Sequence, residues 1–116
     1  MRILVDGNNV LPALGLLRPP QAEQFLQQLE RTAAEKDWDV TVVFDGPERF
    51  LRREEGILTV CYGKGRSADA LIERMVHEAP DRSQVVVVTQ DRSEADLVLG
   101  LGSRVWSPSR LKEEMG

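Results

Sequence analysis

The stretch that decides the fold is MRILVDGNNV, residues 1–10, in which the apolar run ILV (3–5) ends abruptly in the polar sequence DGNN (6–9). An apolar segment this short is typical of a strand that is buried on both faces of a sheet. Such a strand would deliver the Asp6 carboxylate and two amides to its carboxyl end. The segment therefore predicts a central strand with polar, chemically useful groups directly behind it.

The same pattern occurs twice more along the chain. The run TVVF (41–44) is followed by Asp45, and the run VVVV (85–88) is followed by Thr89, Gln90 and Asp91. Four consecutive valines favour a strand that is covered on both faces, as in a parallel sheet flanked by helices. Two weaker strands are predicted at about 57–62 and 104–106.

Helical patterns separate these strands. Between residues 21 and 36, apolar residues recur at i, i+3, i+4, i+7 and i+11, which is one face of a helix. A second helix is predicted to begin after Ser67, a good N-cap, and to run to about Glu78. Shorter helices are predicted at 93–99 and 109–115, and Pro12 and Gly15 predict a surface loop over 11–17. This alternation predicts one doubly wound α/β domain, residues 1–116, with right-handed crossovers.

Composition narrows the class of protein. Hydrophobic residues make up 41% and charged residues 29%, which is ordinary for a soluble globular domain. No apolar run approaches the roughly 18 residues of a membrane span, and the sequence shows no signal-peptide pattern. A single cysteine, Cys61, cannot form an internal disulfide, which favours a reducing cytoplasm. The net charge of −4 argues against a passive nucleic-acid coat, but not against an enzyme that holds cations between itself and a phosphate.

Four aspartates are expected at one edge of the predicted sheet. Asp6, Asp45 and Asp91 follow strands, and Asp69 begins the helix after the third strand. In an open parallel sheet, ligands bind beyond the carboxyl ends of the strands. Four converging carboxylates would repel one another unless cations neutralise them, and oxygen ligands select hard ions such as Mg²⁺ or Mn²⁺. A natural substrate for such a site is a phosphodiester, attacked in line by water that one metal activates while a second stabilises the leaving oxygen.

These motifs resemble those of a known family. The segments VDGNNV (5–10), VVFD (42–45), ADALIE (68–73) and VVTQDR (87–92) are similar, in order and spacing, to the motifs of the NYN domain, and within it to the YacP-like subgroup of the PIN-like nuclease superfamily. The segment SPSRLK (107–112) also resembles the closing helix of this subgroup. The resemblance therefore covers nearly the whole chain.

The resemblance implies a three-layer α/β/α PIN-like domain with a mostly parallel sheet of about five strands in the order 3-2-1-4-5. It implies a Mg²⁺- or Mn²⁺-dependent ribonuclease that acts as an endonuclease. The expected substrate is messenger or ribosomal RNA, and the ribosome is one place where cleavage could occur. The positions that match the family's metal-binding and catalytic acids are Asp6, Asp45, Asp69 and Asp91. Asn9 matches an asparagine that would orient substrate or water, Thr89 matches a hydroxyl that would contact substrate, and Glu73 matches a further acid.

Other charged and aromatic residues are open to two interpretations. Arg49, Lys64 and Arg66 would grip the RNA backbone, or they are solubilising surface. Glu94 and Asp96 are expected to be solvated helix charges. Trp38 and Trp106 are expected to pack inside the domain, although either could line a homodimer contact.

Alternatives to the metal site also remain. Taken singly, Asp6 and Asp45 can be explained as turn residues and Asp91 as the cap of the next helix. Asp69 can be explained by the favourable interaction of its negative charge with the positive end of its helix dipole. The same fold could serve as a non-catalytic RNA- or ribosome-binding module. A phosphotransfer or phosphatase domain with Asp6 or Asp45 as nucleophile would usually have a second carboxylate two residues after Asp6, where this chain has Asn8. Of the two amides, Asn9 is the one that the sequence marks for mutation.

Overall fold

The structure, a computed structural model, describes residues 1–45, 58–62 and 67–116. Within these ranges, five strands form one sheet in the order β3-β2-β1-β4-β5, and every neighbouring pair is parallel. The sheet topology expected from the sequence is therefore confirmed. The strands are β1 (Arg2–Asp6), β2 (Asp39–Phe44), β3 (Leu58–Tyr62), β4 (Val85–Val88) and β5 (Arg104–Trp106). The helices are α1 (Gly7–Ala13), α2 (Pro19–Lys36), α3 (Ala68–Glu78), α4 (Arg92–Gly100) and α5 (Pro108–Glu114), with one 3-10 turn at Arg82–Gln84.

The helices cover both faces of the sheet, as a three-layer domain requires. Ile3 and Val5 of β1 point into one hydrophobic core, which α1, α2 and α5 cover. Leu4, between them, points into a second core under α3 and α4. Because successive strand residues face opposite sides, a strand buried on both faces must be apolar throughout, which is why ILV (3–5) carries no polar residue.

The segment after β1 differs from the expected loop. Residues Gly7–Ala13 form α1 directly behind the strand, although Pro12 lies inside it. Pro12 is the sixth residue of the helix, so that it forgoes one hydrogen bond, the one that an N–H at this position would donate to the Asn8 carbonyl. Gly15, at φ 75°, ends the helix: its N–H donates to the Pro12 carbonyl, and the Leu16 N–H donates to the Leu11 carbonyl. This is a Schellman arrangement, and Gly15 is its C′ residue.

The register of the strands brings their carboxyl ends level. Asp6 of β1 pairs with Val43 of β2, and Val5 pairs with Val88 of β4. Asp6 thus lies at the same height as Thr89, the residue after β4, and Asp45 follows β2 by one residue. The strand ends meet at one edge of the sheet, as the sequence predicts.

Away from this edge, the two tryptophans pack against each other. Trp38 is buried, and its ring meets that of Trp106 edge to face with centroids 5.8 Å apart. The Lys36 ammonium lies 5.3 Å from the Trp38 ring centre, and the Arg110 guanidinium lies 5.1 Å from that of Trp106. The interpretation of both rings as packing residues is confirmed, while homodimer formation stays a prediction. In the part of the chain that the structure describes, no helix is long and apolar enough to cross a membrane.

Candidate functional site

One cavity opens at the carboxyl edge of the sheet and has a volume of about 270 Å³. Polar side chains dominate its lining, and most of them are carboxylates or amides. The structure therefore brings together the four aspartates that the sequence singles out, and it adds Asn8 to them. The lining residues are Asp6, Asn8, Asn9, Asp45, Ala68, Asp69 and Asp91.

Asp6 is the least exposed of these acids, with only 7% of its surface accessible. Burial raises the pKa of Asp6, and the nearby charges of Asp45 and Asp69 raise this pKa further. The backbone N–H of Asn9 lies close enough to offset part of this effect, although it makes no capping hydrogen bond to the carboxylate. The charge of Asp6 is thus held in a place where water solvates it poorly and other negative charges surround it.

Glu94 lies against Asp6, and this corrects the expectation that Glu94 is a solvated helix charge. It is 7% exposed, its Oε2 accepts a hydrogen bond of 2.9 Å from the Thr89 hydroxyl, and its carboxyl group lies close to that of Asp6. The reason is its place in α4: with Asp91 as N-cap, Glu94 is the third helical residue, whose side chain points back toward the helix start. Asp96 is exposed, as expected.

The two neighbouring carboxyl groups favour a positively charged partner, a proton or a cation. Burial and the neighbouring Asp6 raise the pKa of Glu94 to about 8. Two adjacent carboxylates repel each other, and the raised pKa of Glu94 favours a proton on this side chain when no cation is bound. Glu94 Oε1 is buried, and no hydrogen-bond donor among the described residues reaches it.

Asn9 and Thr89 join the ends of the two central strands. The Asn9 Oδ1 accepts a hydrogen bond of 2.6 Å from the backbone N–H of Gln90, and the Thr89 hydroxyl oxygen lies 3.4 Å from the same Oδ1. Thr89 is 3% exposed, and its hydroxyl also accepts from the backbone N–H of Asp91 at 3.1 Å. In this structure both side chains therefore hold the strand ends in place, and Thr89 does not line the cavity.

Asn8 has the matching role on the other side of β1. Its Oδ1 accepts a hydrogen bond of 2.5 Å from the backbone N–H of Asp45. The Asp45 carboxylate in turn accepts a hydrogen bond from the backbone N–H of Ala68, the first residue of α3. The sequence marked only Asn9, but the two consecutive amides of α1 each tie one neighbouring strand end to β1.

The remaining acids are also engaged at helix starts. Asp91 Oδ1 accepts from the backbone N–H groups of Ser93 and Glu94, which confirms its capping role. Asp69 Oδ1 accepts from the backbone N–H of Ala70 at 2.9 Å. Helices α1, α3 and α4 all begin at this edge, and the positive ends of their dipoles favour negative charge there. Capping and cavity lining are therefore compatible roles for the same aspartates.

Some predicted site residues lie elsewhere. Glu73 does not line the acidic cavity: it borders a separate groove along α3, together with Arg74, His77 and other residues of that helix. The predictions for Arg49, Lys64 and Arg66 fall outside the described residues.

The donor set suits a hard divalent cation. Every side chain at the cavity that could bind a metal would do so through oxygen, which is the ligand type of Mg²⁺ and Mn²⁺. The unpartnered buried oxygen of Glu94 and the raised pKa of Asp6 mark an excess of negative charge that a cation would relieve. Among residues 1–45, 58–62 and 67–116, however, no three acidic, histidine or cysteine side chains are already close enough together to hold a metal ion.

Comparison with known proteins identifies the family and similar folds. The family model of the YacP-like NYN domain matches residues 3–116. Two crystal structures of Rae1 (YacP) from Bacillus subtilis, one of them a point mutant, have similar folds. The mutant superposes with a TM-score of 0.79, at 23% sequence identity over 99% of this chain and 74% of the other. The second gives 0.81, at 23% identity over 99% and 73%. No curated protein matches the sequence.

Proposed function

The chain belongs to the YacP-like NYN domain family, which has a nuclease-like fold, and on this basis we propose that it is a Mg²⁺- or Mn²⁺-dependent endoribonuclease. The observation that carries the proposal is the cavity into which four aspartates from separate elements project. A domain without catalytic or metal-binding function would gain nothing from placing these charges together, because their mutual repulsion costs stability. The expected place of action is the cytoplasm.

The side chains divide into two groups. Asp6, Asp45, Asp69 and Asp91 would hold the cation or cations, and when bound these would supply the Lewis acidity for phosphodiester hydrolysis. The buried position of Asp6 excludes bulk water from one side of the site, and this strengthens electrostatic interactions there.

Asn8 and Asn9 are the residues that orient the acids. Through their side-chain oxygens they fix the strand ends that carry Asp45 and Asp91. Their NH₂ groups remain donors that a phosphate oxygen of the RNA could accept from, since both residues line the cavity.

Cleavage of a circular single-stranded RNA tests the reaction most directly, because only an endonuclease can convert a circle into a linear product. We expect linearisation in the presence of Mn²⁺ and none in EDTA. Asp6→Asn should lower the rate by about a hundredfold or more, since it removes a charge from the centre of the site while keeping the shape of the side chain.

Asp96→Asn is the matched control. It removes one negative charge from an exposed position of α4, outside the cavity, and should leave the rate unchanged. Equal activity of wild-type protein and the Asp6 variant would contradict the proposal, as would activity that persists in EDTA.

A non-catalytic RNA-binding module is the second candidate. It is favoured by the absence, within the described ranges, of a ready-made group of three metal-binding side chains, and by the use of Asp45, Asp69 and Asp91 oxygens in helix capping. Calorimetric titration separates the two functions. Retention of RNA without any binding of Mn²⁺ would establish the module, whereas Mn²⁺ binding that Asp6→Asn abolishes supports the nuclease.

A further inference from the structure

Glu94 is a buried acid to which neither the family resemblance nor the cavity lining assigns a role. Its side chain is held from one side only: Oε2 accepts the Thr89 hydroxyl at 2.9 Å, while Oε1 has no donor among the described residues. The carboxyl group faces Asp6, the most buried of the cavity acids. Leaving a carboxylate oxygen unpaired inside a protein is costly, so that this arrangement calls for a positively charged partner.

Two partners could meet this need, a proton or a cation. A core acid that served only packing would be better replaced by an apolar side chain, because burying the carboxyl gains nothing in stability. The hydrogen bond from Thr89 fixes the orientation of the carboxyl group beside Asp6, and Thr89 is itself held by the Asp91 backbone and Asn9. Such support of an acidic side chain is typical of the groups that surround a metal ligand.

We propose that Glu94 is a fifth carboxylate of the cation site and that its Oε1 binds the divalent ion together with the Asp6 carboxylate. The inference rests on the proposed function, because it takes the cation at Asp6 as given. It extends that function by naming a ligand that does not line the cavity and that reaches the ion from the α4 side of Asp6.

Glu94→Gln gives a clean test, because glutamine imitates the protonated acid. Its NH₂ group can donate to Asp6, and its oxygen can still accept from Thr89, but the negative charge and one ligand oxygen are lost. Titration of the whole chain with Mn²⁺, followed by calorimetry and by the rise in melting temperature, should show affinity about tenfold or more weaker than wild type. The melting temperature in EDTA should be equal or higher, which a loss of structure would not produce.

Asp96→Asn again serves as the control, with the same charge change on an exposed position of the same helix. Equal Mn²⁺ affinity of wild-type protein and Glu94→Gln would overturn the inference while leaving the proposed function intact. Absence of Mn²⁺ binding by the wild-type protein would overturn both.

A second measurement does not depend on the folding of a variant. Crystals of the wild-type protein soaked in Mn²⁺ should show an anomalous peak at coordination distance, about 2.0–2.3 Å, from an oxygen of Glu94 and one of Asp6. A peak bound by Asp6 and separated from both Glu94 oxygens by more than about 3 Å would refute the role of Glu94 as a ligand.

Discussion

Gly7 has no room for a side chain, and replacing it tests how the strand ends are held. A Cβ atom added at Gly7 would lie 2.5 Å from Cε1 of the Phe44 ring and 2.8 Å from each of two further ring atoms. Non-bonded carbon atoms normally stay about 3.5–4.0 Å apart, so that the ring must retreat by roughly 1 Å. Phe44 is buried and immediately precedes Asp45, whereas Gly7 immediately follows Asp6. The clash therefore lies between two of the proposed metal ligands.

The size of the effect follows from two opposing contributions. Overpacking of a buried site costs about 1–3 kcal/mol. Alanine in a helix is favoured over glycine by at most about 1 kcal/mol, which offsets part of this cost. We expect Gly7→Ala to lower the free energy of unfolding by about 1–2 kcal/mol, which for a chain of this length is a fall in melting temperature of about 4–8 °C. Movement of Phe44 should also displace Asp45 and weaken Mn²⁺ binding.

Gly100→Ala is the appropriate control. Gly100 also lies in a helix, and nothing approaches an added Cβ within 4 Å, so that alanine should be neutral or slightly stabilising there. Thermal unfolding of the wild-type protein and the two variants in EDTA gives their stability, and subsequent titration with Mn²⁺ gives their affinity for the ion. A Gly7→Ala protein with unchanged stability and Mn²⁺ affinity would refute the argument that the close contact with Phe44 positions the acids.

Two further predictions concern the hydrogen-bonded groups around Asp6. In EDTA, the free energy of unfolding should fall as the pH rises from about 5 to 8, by at most about 1.4 kcal/mol per pH unit. The reason is that the pKa of Glu94 is raised to about 8 in the folded protein, whereas in the unfolded chain it returns to its ordinary value of 4.5. Over this pH range the folded protein therefore retains a proton that the unfolded chain has released. Urea unfolding at several pH values checks this, and Glu94→Gln should reduce the slope and leave the contribution of Asp6, whose pKa burial also raises; a slope equal to that of the wild-type protein would assign it to groups other than Glu94. Asn9→Ala removes the acceptor of the Gln90 N–H and should cost about 1 kcal/mol, whereas Gln27→Ala, on the exposed face of α2, should change stability by less than about 0.5 kcal/mol. Equal unfolding curves for these two variants would show that the amide does not join the strand ends.

The sheet could be predicted because its signals are local and strong. Runs such as ILV (3–5) and VVVV (85–88) are apolar at every position, a pattern that a strand covered on both faces requires. Helix α3 begins one residue after its N-cap Ser67, as expected, and the Ser67 hydroxyl accepts from the Ala70 N–H. Helix α1 was missed because proline and glycine both indicate a loop when their positions relative to a helix end are ignored. In the structure Gly15 is the residue that ends the helix.

The site was predicted only in part, for a related reason. Strand ends in a parallel sheet converge, and this rule placed Asp6, Asp45 and Asp91 correctly without any knowledge of distances. The rule about strand ends gives no information about a side chain that approaches the cavity from a helix. Glu94 looked like one of many charges on an amphipathic helix. The available signal was its spacing from Asp91, since Asp-x-x-Glu at a helix start predicts that the glutamate turns back toward the preceding strand end.

Several small contributions offset the repulsion between the carboxylates of the acidic edge. Three helices present their amino ends there, one oxygen of Asp45 and one of Asp91 accept backbone N–H groups, and the raised pKa of Glu94 favours a proton beside Asp6. A divalent cation at this pair competes with a proton on Glu94, so that the affinity for Mn²⁺ should increase as the pH rises toward the raised pKa of Glu94. The same contacts that offset the repulsion thus set the competition between proton and metal, and they make Asp6 the residue on which both depend.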